Sequence, residues 1–212
     1  MPSPPRSVKI SEDERSGWSS ERPRRPGEPE RPPRQANVSV RGRVLAPSDR
    51  LRYAPGSLLL IVSPSPAIRS RFAERLIEQR GALFSLQKVR DLLAGRVAEE
   101  DMDAKAVELL DAAVAKRLQA GDTVVITAGV HPDERERHVK TAARFRRPRH
   151  LILLEAPRDD VAEEDRAPLN DLRRRLDAGE LGGDGFHSSL RLAQEGMSEL
   201  KRLVFRPEPR DE

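Results

Sequence analysis

The sequence predicts an α/β fold, a three-layer sandwich in which helices cover both faces of a parallel sheet. Three observations carry this expectation. Short apolar runs recur along the chain: LLLIV at 58–62, TVVITA at 123–128 and HLILLEA at 150–156. Segments with helical apolar spacing separate them. The runs show little apolar–polar alternation, which is the pattern of strands buried on both faces rather than one.

Each element follows from its own stretch. Residues 1–36 are rich in Pro, Arg, Glu and Ser, as in ERPRRPGEPERPPR. They offer too little apolar surface to offset chain entropy, so a disordered tail with local polyproline II character is expected. Residues 37–56 are expected to form an edge strand or hairpin arm, NVSVRGRVL, and a lead-in punctuated by APSD and APG. The folded domain is expected over 57–206, with a disordered end at 207–212. Within it, 58–62 reads as a buried strand. Residues 67–80 read as a helix with Ile68, Phe72, Leu76 and Ile77 on one face. ALFSL at 82–86 is a short strand, and QKVRDLLAG a helical turn or two. Residues 101–120 form an amphipathic helix with Met102, Ala106, Leu109, Leu110, Ala113, Val114 and Leu118 on one face, stopped by Gly121. Pro132 opens a helix reaching about Phe145. After the strand at 150–156, two short helices are expected at 158–165 and 168–178. The chain then reads as strand (SSLRLA), turn or helix, and strand. There is no internal repeat.

Composition excludes several classes. The 212 residues suffice for one ordinary domain plus a tail. Cysteine is absent, which excludes disulfides and thiolate metal sites and suits a cytoplasmic location. No apolar run reads as a signal peptide or is long enough to span a bilayer, so no membrane association is expected. The net charge of +4 is uneven: residues 1–56 hold 12 Lys+Arg against 7 Asp+Glu, leaving 27 against 28 in the remainder. The basic excess belongs to the N-terminal segment. A nucleic-acid partner is therefore expected through that tail, if at all, with a protein partner as the alternative. The basic series Arg135, Arg137, Lys140, Arg144, Arg146, Arg147 and Arg149 reads as a solvated helix face or a phosphate-contacting patch. His131, His138, His150 and His187 have no metal-ligand spacing, so no metal site is expected.

In a parallel sheet, ligands bind at the carboxyl ends of the strands. After Val62 comes SPSPAIRS, Ser63 to Ser70. Laid on the phosphate-loop pattern G-x-x-x-x-G-K-[ST], it matches only at Ser70. The residues alone leave two readings open: a phosphate loop that has been lost, or a plain strand–turn–helix.

Three further stretches bear on the choice. Ser85-Leu86-Gln87-Lys88-Val89-Arg90 follows the second strand, TVVITAGVHPDER spans the third strand's end, and GDGFHSSLRLAQEGMSELKRLVF closes the chain. In order and spacing, 58–205 resembles the polynucleotide 5′-hydroxyl kinase family, in particular the kinase domain of bacterial polynucleotide kinase–phosphatase proteins. The resemblance implies a P-loop NTPase fold of the nucleoside/polynucleotide kinase-like kind, in degenerate form. It implies that the two loop glycines fall on Ser63 and Ile68, the phosphate lysine on Arg69 and the Mg²⁺-binding hydroxyl on Ser70. The family's general-base aspartate falls on Gln87, and its arginine for the acceptor phosphate is kept as Arg90. In its V-D-A-T-N strand end, the aspartate is Thr127, the threonine Gly129 and the asparagine Val130. Arg166, ahead of the cluster Arg173–Arg175, is the remnant of an arginine-rich lid.

These replacements remove chemistry. A phosphate cradle needs converging N–H groups and residues that tolerate φ > 0. Ile68 would be strained there, and Pro64 and Pro66 lack the N–H. Gln87 cannot accept a proton near neutral pH, and loss of a general base alone lowers rates roughly 10²–10⁴-fold. Thr127 brings no negative charge to a metal. The expectation is a catalytically degenerate kinase-like protein acting as a binding or regulatory module, with no cofactor and no catalytic residue. Weak anion binding is expected at Arg69 and Ser70, with Arg90 for an acceptor phosphate. The alternative is an ATP-dependent kinase with an atypical loop, and only that reading requires ATP and Mg²⁺.

Overall fold

The computed structural model describes residues 42–46 and 48–206. The tail expected at 1–36, the start of the expected edge strand at 37–41 and the end at 207–212 lie outside these residues. Six strands form the main sheet: β1 (Arg43–Val44), β3 (Leu58–Val62), β4 (Leu83–Ser85), β5 (Val124–Ala128), β6 (Arg149–Leu154) and β7 (Ser188–Leu192). Their order is β1-β7-β6-β3-β5-β4, and every pairing is parallel. β3 is central, in register with β5 (Leu60 beside Ile126) and β6 (Leu60 beside Leu151). All five residues of β3 and of β5 are buried, as expected of strands covered on both faces.

The two faces of β3 divide the core. Leu58, Leu60 and Val62 pack with Ala106, Leu110, Val114 and Leu118 of α3 (Glu99–Ala120). Val139 and Ala142 of α4 (Pro132–Arg144) join the same cluster, as do Leu169, Leu172 and Leu176 of α5 (Glu163–Asp177). Leu59 and Ile61 face the other way, onto Phe72, Ala73 and Leu76 of α1 (Pro66–Leu76). The helix after β3 thus lies on one face, while those after β5 and β6 lie on the other. That reversal is the topological switch at which open α/β sheets bind ligands. Two shorter helices are α2 (Leu86–Leu93) and α6 (Gln194–Glu199).

Three features differ from the sequence reading. The lead-in contains a strand, β2 (Arg50–Tyr53), paired in parallel with β8 (Arg202–Phe205) in a separate two-stranded sheet. Leu51, Tyr53 and Leu203 point into the core beneath it. The expected pair of helices at 158–165 and 168–178 is a single helix, α5, after a 3-10 turn at Arg158–Asp160. Pro168 lies inside α5 because one missing backbone hydrogen bond is outweighed by the buried stripe Leu169, Leu172 and Leu176. Glu163, Glu164 and Asp165 in its first turn favour the start at Glu163. On α3, Leu109 is 45% exposed and does not belong to the apolar face.

A tight approach ties the edge of the core together. Gly56 (φ 71°) and Gly121 (φ 87°) both take the left-handed conformation. A Cβ on Gly56 would lie 2.7 Å from the Gly121 carbonyl oxygen. The Gly56 N–H donates to Thr123 Oγ1 at 3.0 Å, so the lead into β3 is fixed against the lead into β5.

Candidate functional site

β3 ends at Val62 and α1 begins at Pro66, so only residues 63–65 join strand to helix. Pro66 is suited to a first helical position, where its missing N–H removes no helical bond. Ser65 is the N-cap, and its Oγ accepts from the Ile68 N–H at 3.5 Å. Ser63 is fully buried. Its N–H donates to the Ala128 carbonyl at 3.3 Å, and its Oγ accepts from the Ser65 N–H at 3.2 Å. No residue from 63 to 70 has positive φ. Within the turn the N–H groups of Ser65 and Ile68 are bonded to hydroxyls, that of Ser63 is bonded to β5, and Pro64 and Pro66 have none.

Because α1 starts at Pro66, Arg69 is its fourth residue and Ser70 its fifth, just beyond the first turn. The Arg69 Nη1 donates to the Ser63 carbonyl oxygen at 2.8 Å. Burial lowers the Arg69 pKa, and the nearby carboxylates of Glu134 and Asp165 oppose that shift. Asp165 also meets His131 Nε2 at 3.1 Å, and Glu134 accepts from the Gly129 N–H at 3.0 Å. The crevice at the end of β3 thus holds one arginine turned onto backbone, together with two carboxylates. Like charges repel, so these carboxylates disfavour a triphosphate at this position. The residues present do not fit Mg·ATP held in the manner of a phosphate loop.

The other expected positions are dispersed. Gln87 is exposed on α2 and donates to Asp91 Oδ1 at 2.8 Å. Arg90 pairs with Asp103 of α3, Nη2 to Oδ1 at 2.7 Å, and not with Asp91 or Glu99 as its neighbourhood in sequence suggests. Thr127 is buried in β5 beside Ile61 and Ser85. Arg166, read as a lid remnant, and the cluster after it are all paired: Arg166 with Glu163, Arg173 with Glu155, Arg174 with Asp171 and Glu180, and Arg175 with Asp184. The basic series is not one solvated face. Arg135 is buried, donates to the Val130 carbonyl, and has its pKa lowered chiefly by burial. Arg147 and Arg149 follow α4 and donate to the carbonyls of Leu118 and Gly185. Among the described residues, no group of three or more His, Asp or Glu side chains could hold a metal ion.

The sequence reading missed a cleft of about 630 Å³ at the same end of the sheet. It lies between α1, the link after β6 and α6, and its walls include Ile68, Phe72, Pro157 and Met197, with Arg71 and Glu155 at its polar side. Arg75 places its guanidinium 5.9 Å from the Phe72 ring centroid and donates to the Met197 carbonyl, tying α1 to α6. Glu155, just past β6, is held by Arg173 and approached by Arg191 at 3.7 Å. The only signal in sequence was the i, i+4 pair Ile68 and Phe72, which reads equally well as core.

The class that this topology defines is α/β, with a parallel sheet covered on both faces. Its five principal strands run second, third, first, fourth, fifth across the sheet, and the strand–turn–helix of the first occupies the centre. No protein-family model matches the chain, and no curated protein matches it. Among solved structures, it is similar to the tunicamycin resistance protein of Deinococcus radiodurans, with 18% sequence identity, 64% of this chain and 85% of that chain covered, and a TM-score of 0.35. No helix of the described residues is long and apolar enough to cross a membrane.

Proposed function

We infer that the protein is a catalytically degenerate P-loop kinase-like module, derived from the polynucleotide 5′-hydroxyl kinase type, that binds or regulates rather than transfers phosphate. The observation that carries this reading is the bond from Arg69 to the Ser63 carbonyl, within a turn whose two hydroxyls bond the Ser65 and Ile68 N–H groups and whose two prolines have none. Phosphoryl transfer needs a held metal, a positioned triphosphate and a group to take or orient the hydroxyl proton. Gln87 and Thr127 provide neither a base nor a charge, and Arg90 is committed to Asp103. The cleft beside α1 is a concave space of a size that suits a small ligand.

The test is incubation of the full chain with labelled Mg·ATP and a 5′-hydroxyl oligonucleotide, alongside a thermal melt with Mg·ATP. No transfer and no melting shift are expected. A ligand at ~100 times its Kd stabilises by ~2.7 kcal/mol, so real binding would be visible. Transfer that disappears in Arg69→Ala would overturn the reading.

A further inference from the structure

The β2–β8 pair carries a second charged surface, away from the crevice. It borders the C-terminal end of α1, whereas the crevice lies at that helix's start. The two strands are parallel, with Arg50 directly beside Arg202 and Arg52 beside Val204. Leu51, Tyr53 and Leu203 are buried beneath, so the alternate residues Arg50, Arg52 and Arg202 stand on the outer face, where they are exposed, and Arg206 follows them. These four arginines line a groove of about 210 Å³ with Phe205 and Glu78. Glu78 is its one carboxylate, 3.4 Å from Arg202. Among the described residues, no carboxylate lies within 4.0 Å of Arg50, Arg52 or Arg206.

Like charges directly opposite on adjacent strands are destabilising, and an isolated two-stranded sheet is marginal. Four guanidiniums concentrated on such a ribbon make sense when an anion spans them. We propose that the outer face of β2 and β8 is a docking track for the phosphodiester backbone of a single-stranded nucleic acid. The arrangement is linear. Arg202 to Arg206 extends about 13 Å along one strand, and the Arg50–Arg52 step beside it is about 6.6 Å. A free phosphate needs one point of charge, whereas a row fits successive phosphates of an extended chain. Guanidinium forks suit phosphate oxygens. An acidic peptide is the less suitable occupant. Extended peptides are captured along a strand edge through backbone hydrogen bonds, but these charges project from the sheet's face. The sequence ahead of β2, residues 1–49, holds ten Lys or Arg against seven Asp or Glu and has the same sign.

The test is fluorescence anisotropy of a labelled oligothymidylate with the full chain over a salt series. Single-strand binding at four phosphates gives a slope of log K against log salt of about −2.8, and neutralising three arginines should reduce it to about −0.7. Arg50→Gln, Arg52→Gln and Arg206→Gln together are expected to weaken binding at least tenfold at low salt. A control of equal charge change elsewhere, Lys116→Gln, Arg144→Gln and Arg158→Gln, should lose much less. If folding of the ribbon variant is impaired in a thermal melt, photocrosslinking of a bromouridine strand to the unaltered chain decides the matter, with the adduct expected on 50–53 or 202–206. No binding by the parent, equal loss in both variants, adducts confined to 1–36, or equal competition by poly-glutamate at matched charge would each overturn the proposal. None of these outcomes bears on the crevice, whose reading is tested by ATP alone.

Discussion

Arg69 Nη1 donates to the Ser63 carbonyl oxygen at 2.8 Å, across the turn that joins β3 to α1. The cation closes the turn from within. Arg69→Ala would leave a buried carbonyl without this charged donor, a change worth about 1–2 kcal/mol. Urea denaturation is expected to show that loss with an unchanged m-value. A loss under about 0.3 kcal/mol would mean that the bond does not hold the turn.

Gly56→Ala should be among the most damaging single-methyl additions. The residue has φ 71°, and its new Cβ would lie 2.7 Å from the Gly121 carbonyl. The left-handed conformation alone disfavours an L-residue by roughly 1–2 kcal/mol, and the backbone contact adds to it. We expect a loss above about 2 kcal/mol in chemical denaturation. Gly95→Ala is the comparison: φ is 73° but nothing lies within 4 Å, so only the conformational part should appear.

The contrast between these sites explains what was legible in sequence. LLLIV, TVVITA and the apolar stripe of α3 report burial, and burial sets the sheet and its two covering layers. The loss of Gly, Lys and N–H groups from 63–70 was equally readable, since it depends on residue type alone. What could not be read was partner choice. Arg90 has Asp91 and Glu99 nearby in sequence yet pairs with Asp103, because α2 packs on α3. Arg135 sits in a run of charge but is buried against Val130. β2 was hidden because RLRY is too short for alternation to stand out, although its buried Leu51 and Tyr53 follow that rule.

His138 should make stability fall on the acid side. It is 1% exposed, and neither ring nitrogen has a hydrogen-bond partner. Asp111 is 3.7 Å from Nδ1, beyond bonding distance, and is already held by Arg137. Burial first, and then the charge of Arg137, push the His138 pKa down to about 4. A depressed pKa means that the unfolded chain takes up the proton first. The contribution is therefore full above the unfolded value near 6.5, is lost as pH falls from there towards 4, and changes no further below that. The size is about 3 kcal/mol. His150, also pushed to about 4, adds to the same window. Urea midpoints measured across this range should fall accordingly, and His138→Leu, which removes two unpartnered nitrogens, should flatten the slope. An unchanged slope in that variant would assign the acid loss to other groups.

Repairing the turn tests the descent directly. The variant is Ser63→Gly, Pro64→Ala, Pro66→Ser, Ile68→Gly and Arg69→Lys together. In the parent, α1 starts at Pro66 because proline at the first position and the Ser65 cap fix it there. Removing Pro66 and placing glycine at 68 weakens that first turn, so the chain can open into a longer loop ending near residue 69. Glycine at 63 and 68 permits φ > 0, and the two lost prolines return two N–H donors. Lysine at 69 no longer has the guanidinium fork that closes on the Ser63 carbonyl, and it supplies a compact charge for the β- and γ-phosphates. Ser70 would then stand near the new helix start, where a hydroxyl can meet Mg²⁺. Glu134 and Asp165 still face the site and oppose the triphosphate, so affinity should be weak, in the millimolar to high-micromolar range, and about tenfold better with Glu134→Gln added. Kinase activity should stay absent, because Gln87 and Thr127 still lack carboxylates. Calorimetry with Mg·ATP on the folded five-residue variant is the measurement. No heat of binding at millimolar ATP, in either the five- or the six-residue variant, would mean that β3 and α1 are joined by an ordinary turn that never descended from a phosphate loop.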